Sequence, residues 1–180
     1  MTRFVHRSAV SVLAGTLGLL LIASPVAAQS TDGPHVFGGV SMLRDLGTDD
    51  VPATTYDRGW LVAAGAPLPW WRLDIAGEVG MNARTNIVDE TQRLSAALGG
   101  VRMNLLRAAR LAVFGQALAG VEWFAEPGFE HSGLALQPGV GVDVTIWSRL
   151  GARAQADWRW SKQNGDTYKA LRVAVGVVIR

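Results

Sequence analysis

Between residues 150 and 160 the chain alternates: Leu150, Ala152, Ala154, Ala156, Trp158 and Trp160 are apolar, while Arg153, Gln155, Asp157 and Arg159 are polar. Side chains of a β-strand point to opposite faces with a period of two, so this segment has one uncharged face and one densely charged face. Segments of this kind recur at residues 35–43, 58–66, 71–82, 92–103, 111–124, 134–146, 150–161 and 169–179. Each is close to the roughly 9 to 11 residues that a tilted membrane-spanning strand needs. The pattern predicts an all-β chain of eight strands.

The connections alternate as well. Polar, mostly long segments follow the first, third, fifth and seventh strands (44–57, 83–91, 125–133 and 162–168), and tight or basic ones follow the second, fourth and sixth (67–70, 104–110 and 147–149). Long outer loops and short periplasmic turns are the asymmetry of bacterial outer-membrane barrels, and an even strand count puts both termini on the periplasmic side. Tryptophan favours the two membrane interfaces. Trp60, Trp123, Trp158 and Trp160 fall beside the long connections, Trp70, Trp71 and Trp147 beside the short ones, and none falls in the middle of a predicted strand.

The N-terminus predicts export. Arg3, His6 and Arg7 form a basic start, residues 9–23 are an apolar run, and Pro25-Val26-Ala27-Ala28 supplies the small residues read by a signal peptidase. Cleavage is expected after Ala28, giving a signal peptide over residues 1–28 and one barrel domain over 29–180. An uncleaved anchor is the alternative, but the run is shorter than the roughly 20 residues that span a bilayer. Removing Arg3 and Arg7 from 17 Lys+Arg leaves 15, against 15 Asp+Glu, so the mature chain is neutral. The basic precursor is thus no argument for a nucleic-acid partner. Without cysteine, disulfides and thiolate metal sites are excluded.

The signal peptide, eight alternating strands and aromatic girdles resemble the small OmpA/OmpX-type outer-membrane β-barrel family. The resemblance implies an eight-stranded antiparallel up-and-down transmembrane β-barrel in the cell outer membrane. It also implies contact with outer-membrane lipids and lipopolysaccharide, delivery by the barrel-assembly machinery, and a monomer. Relatives usually end in an aromatic residue, whereas this chain ends Val177-Val178-Ile179-Arg180.

The register assigns Leu73, Ile75, Val79, Val113, Ala117, Val121, Leu136, Val140, Val142, Val144, Val173, Val175, Val177 and Ile179 to lipid, with no charge among them. A Lys or Arg at the midplane there would cost roughly 2 to 4 kcal/mol. The inner face is expected to carry Arg72, Arg93, Arg153, Arg159 and Arg172 against Asp74, Glu78, Glu122, Asp143 and Asp157, with Asn82, Gln116, Gln137 and Gln155 between them. Arg102 fits this scheme only if a bulge at Gly99-Gly100 turns it inward, and Pro138, which cannot donate to a ladder, calls for a second bulge. An eight-stranded barrel is just wide enough for side chains to fill, so the inner face reads as an ion-paired plug; a narrow gated path is the alternative.

Chemistry beyond this is sparse. Some barrels of this size modify lipid A, but the mature histidines are only His35 and His131. His131 and Ser132 are adjacent in sequence, where a base and nucleophile on one strand face need a spacing of two. Asp74 and Glu78 invite an acid–base reading, yet with arginines in reach they read as salt-bridge partners. No phosphate loop, metal-spaced His cluster or nucleophile elbow is present, so no catalytic, cofactor or metal site is expected. A periplasmic lipocalin-like carrier is a third class, disfavoured by a charged inner face. The loops remain as the variable surface: Asp45, Asp49, Asp50 and Asp57 with Arg44, and Glu126 and Glu130, are placed to meet divalent cations, a basic extracellular partner or only solvent.

Overall fold

The computed structural model describes residues 33–47, 52–69, 72–85, 91–163 and 166–180, so the signal peptide expected over residues 1–28 lies outside the described residues. Eight strands follow one another: β1 (His35–Asp45), β2 (Thr54–Pro67), β3 (Leu73–Thr85), β4 (Thr91–Arg107), β5 (Leu111–Glu126), β6 (Phe129–Thr145), β7 (Leu150–Gln163) and β8 (Asp166–Ile179). Each pairs antiparallel with the next, and β1 pairs with β8, closing the sheet into an up-and-down barrel. Closure satisfies the backbone groups that an open edge would leave bare in hydrocarbon, which is why strands cross membranes only as barrels. This is a transmembrane β-barrel fold.

The strands run further at the hairpin end than the alternation predicts. The long connection expected after the fifth strand, over residues 125–133, is in fact a tight turn, because β5 and β6 keep pairing out to Glu126 and Phe129. Pro127 presets its φ, and Gly128 takes φ +84°, a left-handed conformation that glycine adopts without steric cost. Likewise β7 and β8 pair out to Gln163 and Asp166. Backbone hydrogen bonds do not require apolar side chains, so the ladders continue after the lipid-facing pattern has ended. The first connection, between Asp45 and Thr54, stays the longest, and Asp49 and Asp50 lie outside the described residues.

This lengthening also corrects the placement of the tryptophans. Trp60, Trp123, Trp158 and Trp160 face outward, but Trp60 sits within β2, paired with Val40 and Met81, rather than at a strand end. Trp147 is in the turn between β6 and β7 and is 74% exposed, while Trp70 and Trp71 lie outside the described residues.

Both predicted bulges are absent. β4 keeps one register against β3 from Leu73↔Met103 to Thr85↔Thr91, straight through Gly99 and Gly100. β6 keeps one register against β5, and its ladder with β7 is only interrupted over Gln137 and Pro138, where the missing N–H falls. The irregularities lie elsewhere. Asp57 and Arg58 oppose Met42 alone, and Leu105 is an extra residue on β4, which leaves Leu105 and Leu106 both exposed.

Outside, Val36, Val40, Ile75, Val101, Val140, Val175 and Ile179 form an exposed apolar surface. Inside, apolar residues gather in three groups. Phe37, Leu61, Ala63, Ala174 and Val178 line β1, β2 and β8; Ala76, Ala96, Leu98, Leu118 and Ala135 line β3 to β6; Leu43, Tyr56 and Ala170, with Leu94 against them, lie toward the hairpin end.

Candidate functional site

A connected set of polar side chains crosses the barrel interior, with smaller polar groups beside it. At its centre Arg172 on β8 reaches across the lumen to Glu78 on β3 with two parallel hydrogen bonds, Nη1 to Oε1 at 2.6 Å and Nη2 to Oε2 at 2.8 Å. The same guanidinium donates to Asp157 Oδ2 on β7 from Nη2 at 2.6 Å and from Nε at 3.1 Å. All three side chains are fully buried. One arginine thus answers two carboxylates, the fork geometry for which guanidinium is suited. Gly139 makes room for this: a Cβ there would stand 2.0 Å from Asp157 Oδ1.

Glutamines extend the set in both directions. Gln137 and Gln155 donate to Glu78, and Gln116 and Gln155 to Asp157. Toward the hairpin end Arg159 donates to Gln137 and, from Nη1, to Glu122 Oε2 at 2.7 Å, while Gln163 donates to Glu122 Oε1. Toward the turn end Arg102 donates to Gln116 at 2.9 Å and to His35 Nε2 at 2.6 Å. Below it, Arg153 makes a two-pronged contact with Asp143, which also accepts from Arg180 at 2.7 Å. The guanidinium carbons of Arg102 and Arg153 lie 4.2 and 4.8 Å from the Phe114 ring centroid, an arrangement in which the ring face offsets part of the desolvation of the cations.

The predicted inner face is therefore largely present, with corrections. Arg153, Arg159, Arg172, Asp74, Glu78, Glu122, Asp143, Asp157, Asn82, Gln116, Gln137 and Gln155 are all buried. Arg72 and Arg93 are exposed: Arg72 precedes β3 in a turn, and Arg93 is on the outward phase of a straight β4. Arg102, in contrast, points inward with no bulge, and His35, Asn104 and Gln163 were not foreseen as members. The alternation of β4 itself contained the signal. Val101 and Met103 outward place Arg102 inward, but Leu94, Ala96 and Leu98 then line the lumen, contrary to the expectation that apolar residues face lipid.

The residues weighed for catalysis are not brought together. His35 sits at the first residue of β1, on the turn side, and His131 at the hairpin end of β6, where its ring lies 5.0 Å from those of Phe124 and Phe129. His131 and Ser132 are on opposite phases of one strand, with His131 paired to the inward Phe124 and Ser132 to the outward Trp123. Glu78 is held by Arg172, and Asp74 lies near Asn104. Among the described residues no group of three His, Asp or Glu is arranged to hold a metal ion. At the hairpin end Arg84 donates to Gln92 at 2.6 Å, and Gln92 to Glu126 at 2.9 Å.

No protein-family model matches the chain, and no curated protein sequence matches it. Solved structures do match in shape. Neisserial surface protein A superposes with a TM-score of 0.69 at 10% identity, over 84% of this chain and 99% of that one. Ail, the attachment invasion locus protein of Yersinia pestis, superposes with a TM-score of 0.55 at 15% identity, over 83% and 100%. Its complex with the heparin analogue sucrose octasulfate gives 0.53 at 14% identity, over the same shares. The chain therefore has the fold of the small eight-stranded outer-membrane barrels.

Proposed function

We propose that this protein is an integral outer-membrane barrel, exported by a signal peptide cleaved after Ala28. It has a plugged interior, no enzymatic activity, and a structural or surface-interaction role exercised through its hairpin end. The observation that carries the reading is the cross-lumen clasp of Arg172 on Glu78 and Asp157, which occupies the centre of the interior with buried, mutually engaged charges. Charges tied to one another in this way support a plugged interior over a polar channel or a catalytic lumen. The hairpin end, facing the cell exterior, is then the surface free to vary.

The chemistry of that end favours a cationic partner. Asp45, Asp49, Asp50, Asp57, Asp89, Glu90, Glu126, Glu130 and Asp166 outnumber the basic residues in the same connections and strand ends. Ail shares the fold and has been crystallised with a polyanion, and a surface role for this chain is supported by that likeness in fold; the acidic balance here points to the opposite sign of ligand.

Fractionation tests the reading. The protein is expected in the outer membrane, resistant to carbonate and high salt, with a heat-modifiable gel mobility; recovery as a soluble periplasmic monomer would favour a carrier instead. Replacing residues 46–53 with a short Gly-Ser linker should leave the barrel folded and remove any adhesion phenotype. A large steady conductance in planar bilayers, or acyl transfer on lipid A by the purified protein, defeats the plugged, non-enzymatic reading.

A further inference from the structure

The turn end carries a feature that the interior does not explain. Arg72, Arg110 and Arg149 are all exposed there, one in each of the three turns. The turns form a continuous rim, because Asn104 N–H donates to the Arg72 carbonyl, Thr145 N–H to that of Arg110 and Arg180 N–H to that of Arg149. Residues 67–73, 104–112 and 145–151 contain no Asp or Glu. The carboxylates nearest in sequence point into the barrel, where Asp74 is near Asn104 and Asp143 is held by Arg153 and Arg180. The rim is therefore a collar with an exposed arginine in each turn and no Asp or Glu in the sequence of the turns, although the mature chain as a whole is neutral.

Apolar side chains accompany the collar. Leu105, Leu106, Ile146 and Trp147 are exposed within a few residues of these arginines. In water such a ring would be an exposed hydrophobic patch. At the boundary between acyl chains and headgroups it is satisfied, with Trp147 at the interface and the long arginine stems reaching to the phosphates.

We propose that this collar binds the phosphates of anionic phospholipids, so that the barrel selects phosphatidylglycerol and cardiolipin over neutral lipids at its turn end. Guanidinium pairs with phosphate through two parallel hydrogen bonds, and each basic residue near a membrane surface adds attraction that salt screens. The placement in the inner leaflet rests on the outer-membrane orientation proposed above. The headgroup preference does not.

The test uses the whole barrel refolded into phosphatidylcholine vesicles containing spin-labelled phosphatidylglycerol or spin-labelled phosphatidylcholine. At low salt the protein should motionally restrict phosphatidylglycerol with an association constant about threefold higher than phosphatidylcholine. The preference should vanish in 1 M NaCl, a result that depends on no variant, and in R72Q/R110Q/R149Q. It should persist in R44Q/R58Q/R93Q, which alters the other end. Equal restriction of both lipids by the unaltered protein overturns the proposal, and so does a preference lost only in R44Q/R58Q/R93Q. Orientation is read separately, by labelling Ser148→Cys in intact cells with an impermeant maleimide. No labelling supports the inner-leaflet placement. Labelling would overturn that placement while leaving the headgroup preference to be judged by the vesicles.

Discussion

β7 and β4 stand three strands apart around the barrel and solve the same geometric problem with opposite chemistry. The inward face of β7 runs Gly151, Arg153, Gln155, Asp157, Arg159, Ser161 and Gln163, and polar groups dominate it from end to end. The inward face of β4 runs Gln92, Leu94, Ala96, Leu98, Gly100, Arg102 and Asn104, and its middle is apolar. A closed barrel of eight strands must fill its lumen with side chains. Charges opposed to charges on every wall would leave many hydrogen-bonding groups to satisfy in little space. An apolar wall of Ala96, Leu98 and Leu118 instead packs beside the polar one and shields the ion pairs from water. The interior is therefore two-sided, and the two sides should fail differently when altered.

The largest effect is expected at the polar wall. Arg172→Ala leaves Glu78 and Asp157 buried without their cation and should destabilise the barrel by about 3 to 5 kcal/mol. Urea unfolding in lipid vesicles, followed by tryptophan emission, measures this; unchanged stability would mean that the clasp is solvated. Arg153→Ala is the internal contrast, because Asp143 retains Arg180. The loss should be about 1 to 3 kcal/mol, and the Arg153→Ala/Arg180→Ala double variant should lose more than the sum of the two single ones.

At the apolar wall Leu118→Ala removes packing without uncovering a charge. It should cost about 2 kcal/mol or more from the transfer and cavity terms together, with little dependence on salt or pH. A pH dependence as strong as that of Arg172→Ala would erase the distinction between the walls. The smallest effect sharpens the phase of β4. Arg93→Gln, on the outward face, should change stability by less than about 0.5 kcal/mol, whereas Arg102→Gln, which breaks contacts to His35 and Gln116, should cost about 1 to 3 kcal/mol. Reversal of that order would restore the bulge at Gly99-Gly100.

The difference between the walls also decides what was legible. On β7 the strict alternation of alanine and tryptophan with polar residues leaves one reading, and both faces emerge from residues 150–161 alone, although the strand itself runs on to Gln163. On β8, Val173, Val175, Val177 and Ile179 outward and Arg172 inward follow the same way. On β4 apolar residues occupy both phases, so local pattern cannot tell Leu98 from Val101. The pattern alone makes Arg102 an exception and assigns Arg93 an inward place that belongs to Leu94. A bulge was invoked where the strand is straight, while the bulge at Leu105 has no glycine to mark it.

The architecture is written in the chain: eight strands, their order, the apolar lipid-facing positions and the polar wall of the lumen, because a period of two is a local property and bare backbone is intolerable in lipid. Where the strands end is set by pairing, since a ladder at Glu126 or Gln163 is held by its neighbour strand and not by its own side chains. Only closure decided the partners of the buried charges. Arg172 and Glu78 are separated by 94 residues and meet because the register of every intervening strand pair brings β8 and β3 to facing positions across the lumen. Alternation assigns a side chain to a wall, and the geometry of the closed barrel assigns it a partner.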